Sequence, residues 1–184
     1  AVSDFLNPDR IVLGVDDTFS EQLLREIYAP LWEGHYRGEN SKNVVDYNET
    51  PLPQLVVTST RNAELIKYAS NAFLAMKISF INAIANIAER VGGDIDQIKE
   101  GVGSDRRIGM DFLNAGIGYG GSCFPKDLLA FRRIAWDAGY HFGLLDSVMH
   151  INQDQRNQFL HKVSRVLGEL KDKSIGILGL AFKA

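Results

Sequence analysis

A single cysteine stands among 184 residues. No disulfide framework can form within the chain, so a reducing, cytoplasmic setting is expected. The four histidines, His35, His141, His150 and His161, show no metal-ligand spacing, and with one thiol there is no zinc site to build. Neither sign of charge dominates: 20 basic residues against 23 acidic ones leave a net charge of -3. Such a chain has no global attraction to phosphate backbones, and no nucleic-acid partner is expected. No apolar stretch of membrane-spanning length is free of charges, and no signal peptide opens the chain, so no membrane partner is expected either. Disorder is excluded by composition, since 45% of the residues are hydrophobic and only 23% are charged.

What is present falls into three stretches. Arg10 to Val15 and Gln54 to Thr58 have the character of short strands. Between them, Phe19 to Trp32 has helical spacing, with Leu23, Leu24, Ile27 and Leu31 on one side and Ser20 as the expected N-cap. Gly34 to Pro53 is polar and reads as a loop. One strand, one helix and one strand form a piece of an α/β sheet, too small to cover both sheet faces alone. From Asn62 to Val91 the chain runs without glycine or proline. Ala69, Ala72, Phe73, Met76, Phe80, Ala83, Ile84, Ile87 and Val91 recur at helical steps, and Ile66, Leu74, Ile81 and Ala85 make a second apolar face. A helix apolar on most sides must be covered on most sides. A second copy of the chain, making a homodimer through helix 62–91, is the simplest cover; the chain's own neighbours are the other.

Shorter helices follow. Asp94 with Gln97 forms a capping-box-like start for Ile95 to Val102. Arg106 to Gly109 and Met110 to Asn114 are expected to be short helical pieces. Pro125 to Asp137 is a helix closed by Gly139, and Leu144 to Leu170 is a long one, with Val148, Ile151, Phe159, Val163, Val166 and Leu170 facing inward. Lys173 to Ala181 has the character of an apolar strand entering a glycine turn. The fold class is therefore mainly α. A central helical domain built on one long helix (61–170) is flanked by remnants of two α/β, Rossmann-like domains (1–60 and 171–184), and both ends look cut.

Gly116 to Gly121 formally matches the glycine pattern of a dinucleotide loop. However, Asp111 to Ala115 before it are not strand-like, and position 141, where an acidic residue is wanted, is His. Cys123 is more informative. It lies between this glycine run and a helix whose first turn holds Pro125. A helix N-terminus favours a thiolate, and Lys126 adds a positive charge. Asp127 follows one turn later. Nucleophilic catalysis is one reading of this group; a small buried cysteine beside a solvated Lys-Asp pair is the other. A Cys-His hydrolase using His141 or His150 also stays open. On the long helix, Glu64, Lys67 and Asn71 share one face. They form either a rim salt bridge or a cation and an amide aimed at a substrate oxygen.

Gly118-Tyr-Gly-Gly-Ser-Cys-Phe-Pro-Lys-Asp127 resembles the catalytic-cysteine signature of the UDP-glucose/GDP-mannose dehydrogenase family. Ala63 to Lys67, Ser70 to Leu74 and Lys77 to Phe80 resemble that family's central helix. Asp105 to Gly109 resembles its interface arginine motif. Pro8 to Val12 and Gly176 to Lys183 resemble the segments that close its first domain and open its last. The blocks follow family order across nearly the whole chain. The resemblance implies oxidation of UDP-glucose to UDP-glucuronate with two NAD, through a thiohemiacetal and a thioester on Cys123. It implies that Lys67 stabilises oxyanion charge, that Asn71 orients the reacting oxygen or water, and that Asp127 holds water or relays a proton. Arg107, Phe112, Tyr119, Gly120, Phe182 and Lys183 fall at substrate-binding positions, with Arg107 supplied across the dimer. NAD is expected to bind mainly through a preceding domain, so this segment alone is expected to be inactive. GDP-mannose or UDP-N-acetylmannosamine are alternative substrates, and a non-catalytic dimerisation module is the alternative function.

Overall fold

A computed structural model describes residues 5–33 and 51–179. Most of the expected loop 34–53, and both Phe182 and Lys183, lie outside them. The chain divides into two compact units, Ala1–Lys67 and Tyr68–Ala184.

In the first unit, β1 (Arg10–Gly14) and β2 (Gln54–Thr58) pair in parallel, with Arg10 opposite Gln54. Helix α1 (Thr18–Trp32) lies between them in sequence. Ile11 and Leu13 pack with Leu31, and Leu24 and Tyr28 join them, whereas Leu23 and Ile27 face out. The N-cap of α1 is Asp17 and not Ser20. The Asp17 carboxylate accepts from the Ser20 backbone N–H at 2.8 Å and from its hydroxyl at 2.7 Å. Those two bonds hold the Asp17 carboxyl below its ordinary range.

Helix α2 (Thr60–Val91) starts in this unit, where the Thr60 hydroxyl donates to Asp16 at 2.6 Å. Gly14 is needed beside it, because a Cβ there would stand 2.6 Å from the Cβ of Ala63.

The second unit packs the rest of α2 with α3 (Ile95–Gly103), α4 (Phe124–Asp137) and α5 (Gly143–Leu167). The start of α3 is as expected: Asp94 caps it, accepting from the N–H groups of Asp96 and Gln97. The core gathers Ala72, Ala75, Tyr119, Leu128, Leu145 and Val148. Two sequence expectations change here. Residues 104–114 are turns, not helices. The backbone carbonyl of Asp105 accepts from both Ile108 and Gly109, while Gly109 and Phe112 take left-handed φ values of 70° and 64°. A helix cannot pass through such residues. On α5, Phe159 and Val166 are exposed, and the helix stops at Leu167 because Gly168 turns left-handed at φ 72°. Lys173 to Gly179 form no regular element among the described residues.

The long helix has an unexpected inner line. Asn71, Ala75, Ser79, Asn82 and Asn86 are buried, while Phe73, Phe80, Ile87 and Val91 on the other side are exposed. By length and composition α2 could cross a membrane, but half of its most apolar window is buried inside the fold. Most of its inner polar groups are bonded to neighbours, the exception being the buried Asn82 Nδ2, which has no partner among the described residues. Ser79 donates to the carbonyl of Val148 at 2.9 Å, and Asn86 donates to Gln155 at 2.8 Å.

Adjacent residues of α2 give a stability test. Ile81 is wholly buried and Phe80 is about half exposed. Ile81→Ala is expected to lower unfolding free energy by about 2–5 kcal/mol. Phe80→Ala should cost less than about 1 kcal/mol of subunit stability. Denaturant melts of the two variants at matched oligomeric state decide this.

Candidate functional site

The site is built where the glycine run meets α4. Cys123 is the N-cap residue of α4 and is exposed, with Pro125 in the first turn. Asp127 follows one turn on, and its N–H donates to the Cys123 carbonyl at 3.0 Å. Asp127 is buried at 6% exposure, and charge that deep needs partners. Two are in place. Asn71 Nδ2 donates to its Oδ2 at 2.5 Å and Lys126 Nζ donates to its Oδ1 at 2.6 Å. Held by Asp127, the Lys126 ammonium is pushed above its ordinary range, with the nearby sulfur of Cys123 adding to the effect. The Ser122 hydroxyl lies 3.8 Å from that sulfur. Lys67 is exposed on α2, one turn before Asn71.

The remaining predicted residues divide. Tyr119 is buried, and its ring meets the edge of Phe124 at 5.7 Å; Phe112 meets Phe124 at 6.3 Å. Burial pushes the Tyr119 phenol up from 10.0, and the charge of Arg156 opposes this. Gly120 is exposed, and a Cβ there would meet nothing within 4 Å. Arg107 projects outward with 89% of its side chain exposed. It is paired with Asp105 at 2.5 Å, which raises the guanidinium's pKa and lowers that of the carboxyl. The turn carrying Arg107 is tied to α2 by Lys77, which donates to the carbonyls of Ile108 and Gly109 at 2.9 and 3.2 Å.

Four amide side chains were not singled out in the sequence. Asn152 on α5 accepts from the Tyr119 N–H at 2.7 Å and donates to the Tyr119 carbonyl at 3.1 Å. Asn82 accepts from the Gly116 N–H at 2.8 Å, and Gln155 donates to the Gly116 carbonyl at 2.7 Å. Gln155 in turn accepts from Asn86. The available signal was asparagine on the Ala75–Ser79 side of α2. A buried amide there calls for a hydrogen-bond partner from a neighbouring segment.

These bonds also test the glycine run as a dinucleotide cradle, and it does not fit. A turn precedes it, not a strand, and the N–H groups of Gly116 and Tyr119 that would face a phosphate are already bonded to side chains. Among the described residues no three His, Cys, Asp or Glu are grouped to hold a metal.

Residues 61–154 match the family model described as UDP-glucose/GDP-mannose dehydrogenase family, central domain. The whole chain is 46% identical to a UDP-glucose 6-dehydrogenase of Rickettsia felis and 44% identical to UDP-glucose 6-dehydrogenase TuaD of Bacillus subtilis. It spans 38% and 35% of the lengths of those two relatives. Among solved structures it is similar to a UDP-glucose dehydrogenase from the hyperthermophilic archaeon Pyrobaculum islandicum, at TM-score 0.77 and 37% identity, over 91% of this chain and 34% of the other. That similarity supports the mainly helical architecture.

The buried phenol sets an alkaline limit. Folding raises the pKa of Tyr119, so the folded state keeps a proton that the unfolded chain gives up above pH 10.0. The associated stability is complete below that pH and is lost as pH rises through the folded value. Melting temperatures followed from pH 8 to 11 should fall more steeply for the native sequence than for Tyr119→Phe, and parallel curves would remove the effect.

Proposed function

The chain belongs to the UDP-glucose/GDP-mannose dehydrogenase family, and we propose that it is the part of a cytoplasmic UDP-glucose 6-dehydrogenase that carries the thiol chemistry of a four-electron oxidation. The observation that carries this is the grouping of an exposed sulfur at Cys123 with a buried, doubly held carboxylate one turn away. A scaffold has no use for an accessible thiol beside an oriented buried charge.

The steps balance as follows. The C6 alcohol of the sugar loses a proton and a hydride and becomes an aldehyde. The Cys123 thiolate adds to that carbon, and the new oxyanion takes up a proton, giving a thiohemiacetal. Loss of a proton and a second hydride leaves a thioester. Water then attacks the acyl carbon, the S–C bond breaks, and the thiolate returns as the carboxylate leaves. Each hydride removes two electrons. NAD is the proposed acceptor for both, bound outside the described residues, and no step at it is assigned to this chain.

Within this scheme the chain's own groups have distinct tasks. Cys123 retains the aldehyde and makes the second oxidation possible. Lys67 lies on the same helix as Asn71 and supplies positive charge toward the developing oxyanion. Asn71 and Lys126 fix the two oxygens of Asp127, which orients the water and receives its proton. Gly120 has no internal steric reason to be glycine, which suits close approach by the sugar. Phe112, Tyr119, Phe182 and Lys183 are assigned to the same substrate by family pattern. The test is Cys123→Ala in the full-length protein. Uronate formation from UDP-glucose should drop to background, and near-normal uronate yield would rule out the nucleophile assignment. Running GDP-mannose and UDP-N-acetylmannosamine beside UDP-glucose settles the sugar.

The exposed side of α2 supports a homodimer. Phe73, Phe80 and Ile87 are spaced seven residues apart and 58%, 49% and 54% exposed, with Met76 and Ile84 between them. This is the spacing of a helix-pairing seam. Arg107, projecting outward, suits delivery to the nucleotide of the other copy. Phe80→Glu should shift the full-length protein toward monomer in sedimentation velocity at micromolar concentration. An unchanged sedimentation coefficient would move the interface elsewhere.

A further inference from the structure

The stretch from Gly116 to Cys123 cannot hold its own shape. Gly120 and Gly121 separate Tyr119 from Ser122-Cys123 and contribute no side chains, and residues of this kind lose the most freedom on being ordered. Its position must come from outside. Asn152 is 3% exposed, and both polar atoms of its amide are bonded to the backbone of one residue, Tyr119. A paired donor and acceptor on one peptide segment fix its rotation as well as its place. Gly118 is fitted to this contact: a Cβ there would stand 2.4 Å from the Asn152 Oδ1, and its φ is 102°. Gln155, one turn further on the same face of α5, donates to the Gly116 carbonyl, while Asn82 of α2 accepts from the Gly116 N–H.

We propose that Asn152 is a positioning residue for the thiol: by clamping Tyr119 from α5 it sets where Cys123 stands against the carbon it attacks. The proposal rests on the nucleophile reading above for its chemistry, but the clamp acts on the sulfur whatever the substrate is. Tyr119 is fixed on one side of the diglycine and the first turn of α4 on the other, so Cys123 hangs between two anchors. Loss of one anchor leaves the helix end intact and lets the sulfur wander. Ser79 is the internal control. Its hydroxyl makes a buried bond between α2 and α5, to the Val148 carbonyl and not to the glycine run.

The experiment uses the full-length protein with two readouts: NADH formation from UDP-glucose, and the alkylation rate of Cys123 by iodoacetamide, which needs no cofactor. Asn152→Leu preserves volume and leaves both backbone groups of Tyr119 unpaired. It should lower kcat by about a hundredfold, the scale of a misplacement of roughly 1 Å, and change the alkylation rate by about tenfold or more. Ser79→Ala should lower the melting temperature and leave both readouts unchanged. Asn152→Asp keeps the acceptor for the Tyr119 N–H, and its neutral form restores the donor as well. Its alkylation rate relative to the native protein should therefore approach one as pH falls, a profile that simple loosening of the fold would not give. If Asn152→Leu leaves alkylation unchanged, or Ser79→Ala changes it equally, the positioning role is overturned. If Asn152→Leu does not fold, a pH-independent ratio for Asn152→Asp overturns it instead. If the native protein forms no NADH while alkylation still responds to Asn152 and not to Ser79, the positioning stands and the dehydrogenase reading falls.

Discussion

The candidate site depends on backbone groups being bonded by side-chain amides. A glycine-rich segment has little side-chain area to bury, so packing alone cannot fix it. Here α2 and α5 supply the missing constraint through Asn82, Asn152 and Gln155, which bond to Gly116 and Tyr119. Each such bond contributes only about 1 kcal/mol net, but leaving one of the buried Tyr119 backbone groups unpaired costs about 1–3 kcal/mol. That asymmetry makes the loop nearly single-valued. It also explains why the inside of α2 is lined with asparagine, serine and alanine: small and amide-bearing residues let a backbone approach and then bond to it. The apolar weight of the second unit is carried elsewhere, by Leu128, Leu145 and Val148 around Tyr119.

Much of the fold was legible because it follows from periodicity and caps. The strands at Arg10 and Gln54, the capped start at Asp94 and the long helix ending before Gly92 all rest on local chemistry, and local chemistry is what one sequence carries. The errors have a common cause. Ser20 and Asp17 are both competent N-caps, and the carboxylate won because it accepts from both the amide and the hydroxyl of Ser20. The segment after Ser104 has helical composition, yet bonds to Asp105 and left-handed Gly109 and Phe112 divert it into turns. On α5, Phe159 and Val166 satisfy a helical period and still face outward. A period says which residues share a face, not which face meets the core.

The site was legible to the same depth. Cys123, Asp127 and Asn71 could be named as candidates because a lone thiol, a carboxylate and an amide are chemically distinctive. That Asn71 bonds to Asp127 across 56 positions of sequence could not be read from spacing. Asn82, Asn86, Asn152 and Gln155 were invisible for a further reason: nothing distinguishes a polar residue that faces water from one that faces a backbone, until the neighbouring helix is in place. Tyr119, expected at the substrate, turns out to have its ring in the core and its backbone in the clamp.

The division between exposed sulfur and buried carboxylate is itself a physical requirement. On the proposed reading Cys123 has to meet a molecule that arrives from solution, and it sits exposed at the N-terminal end of α4. A carboxylate that must hold one orientation cannot be left to water, which would compete for both oxygens. Burying it costs several kcal/mol unless both oxygens are bonded. Asn71 and Lys126 provide those bonds from opposite sides, one from inside the core and one from the rim.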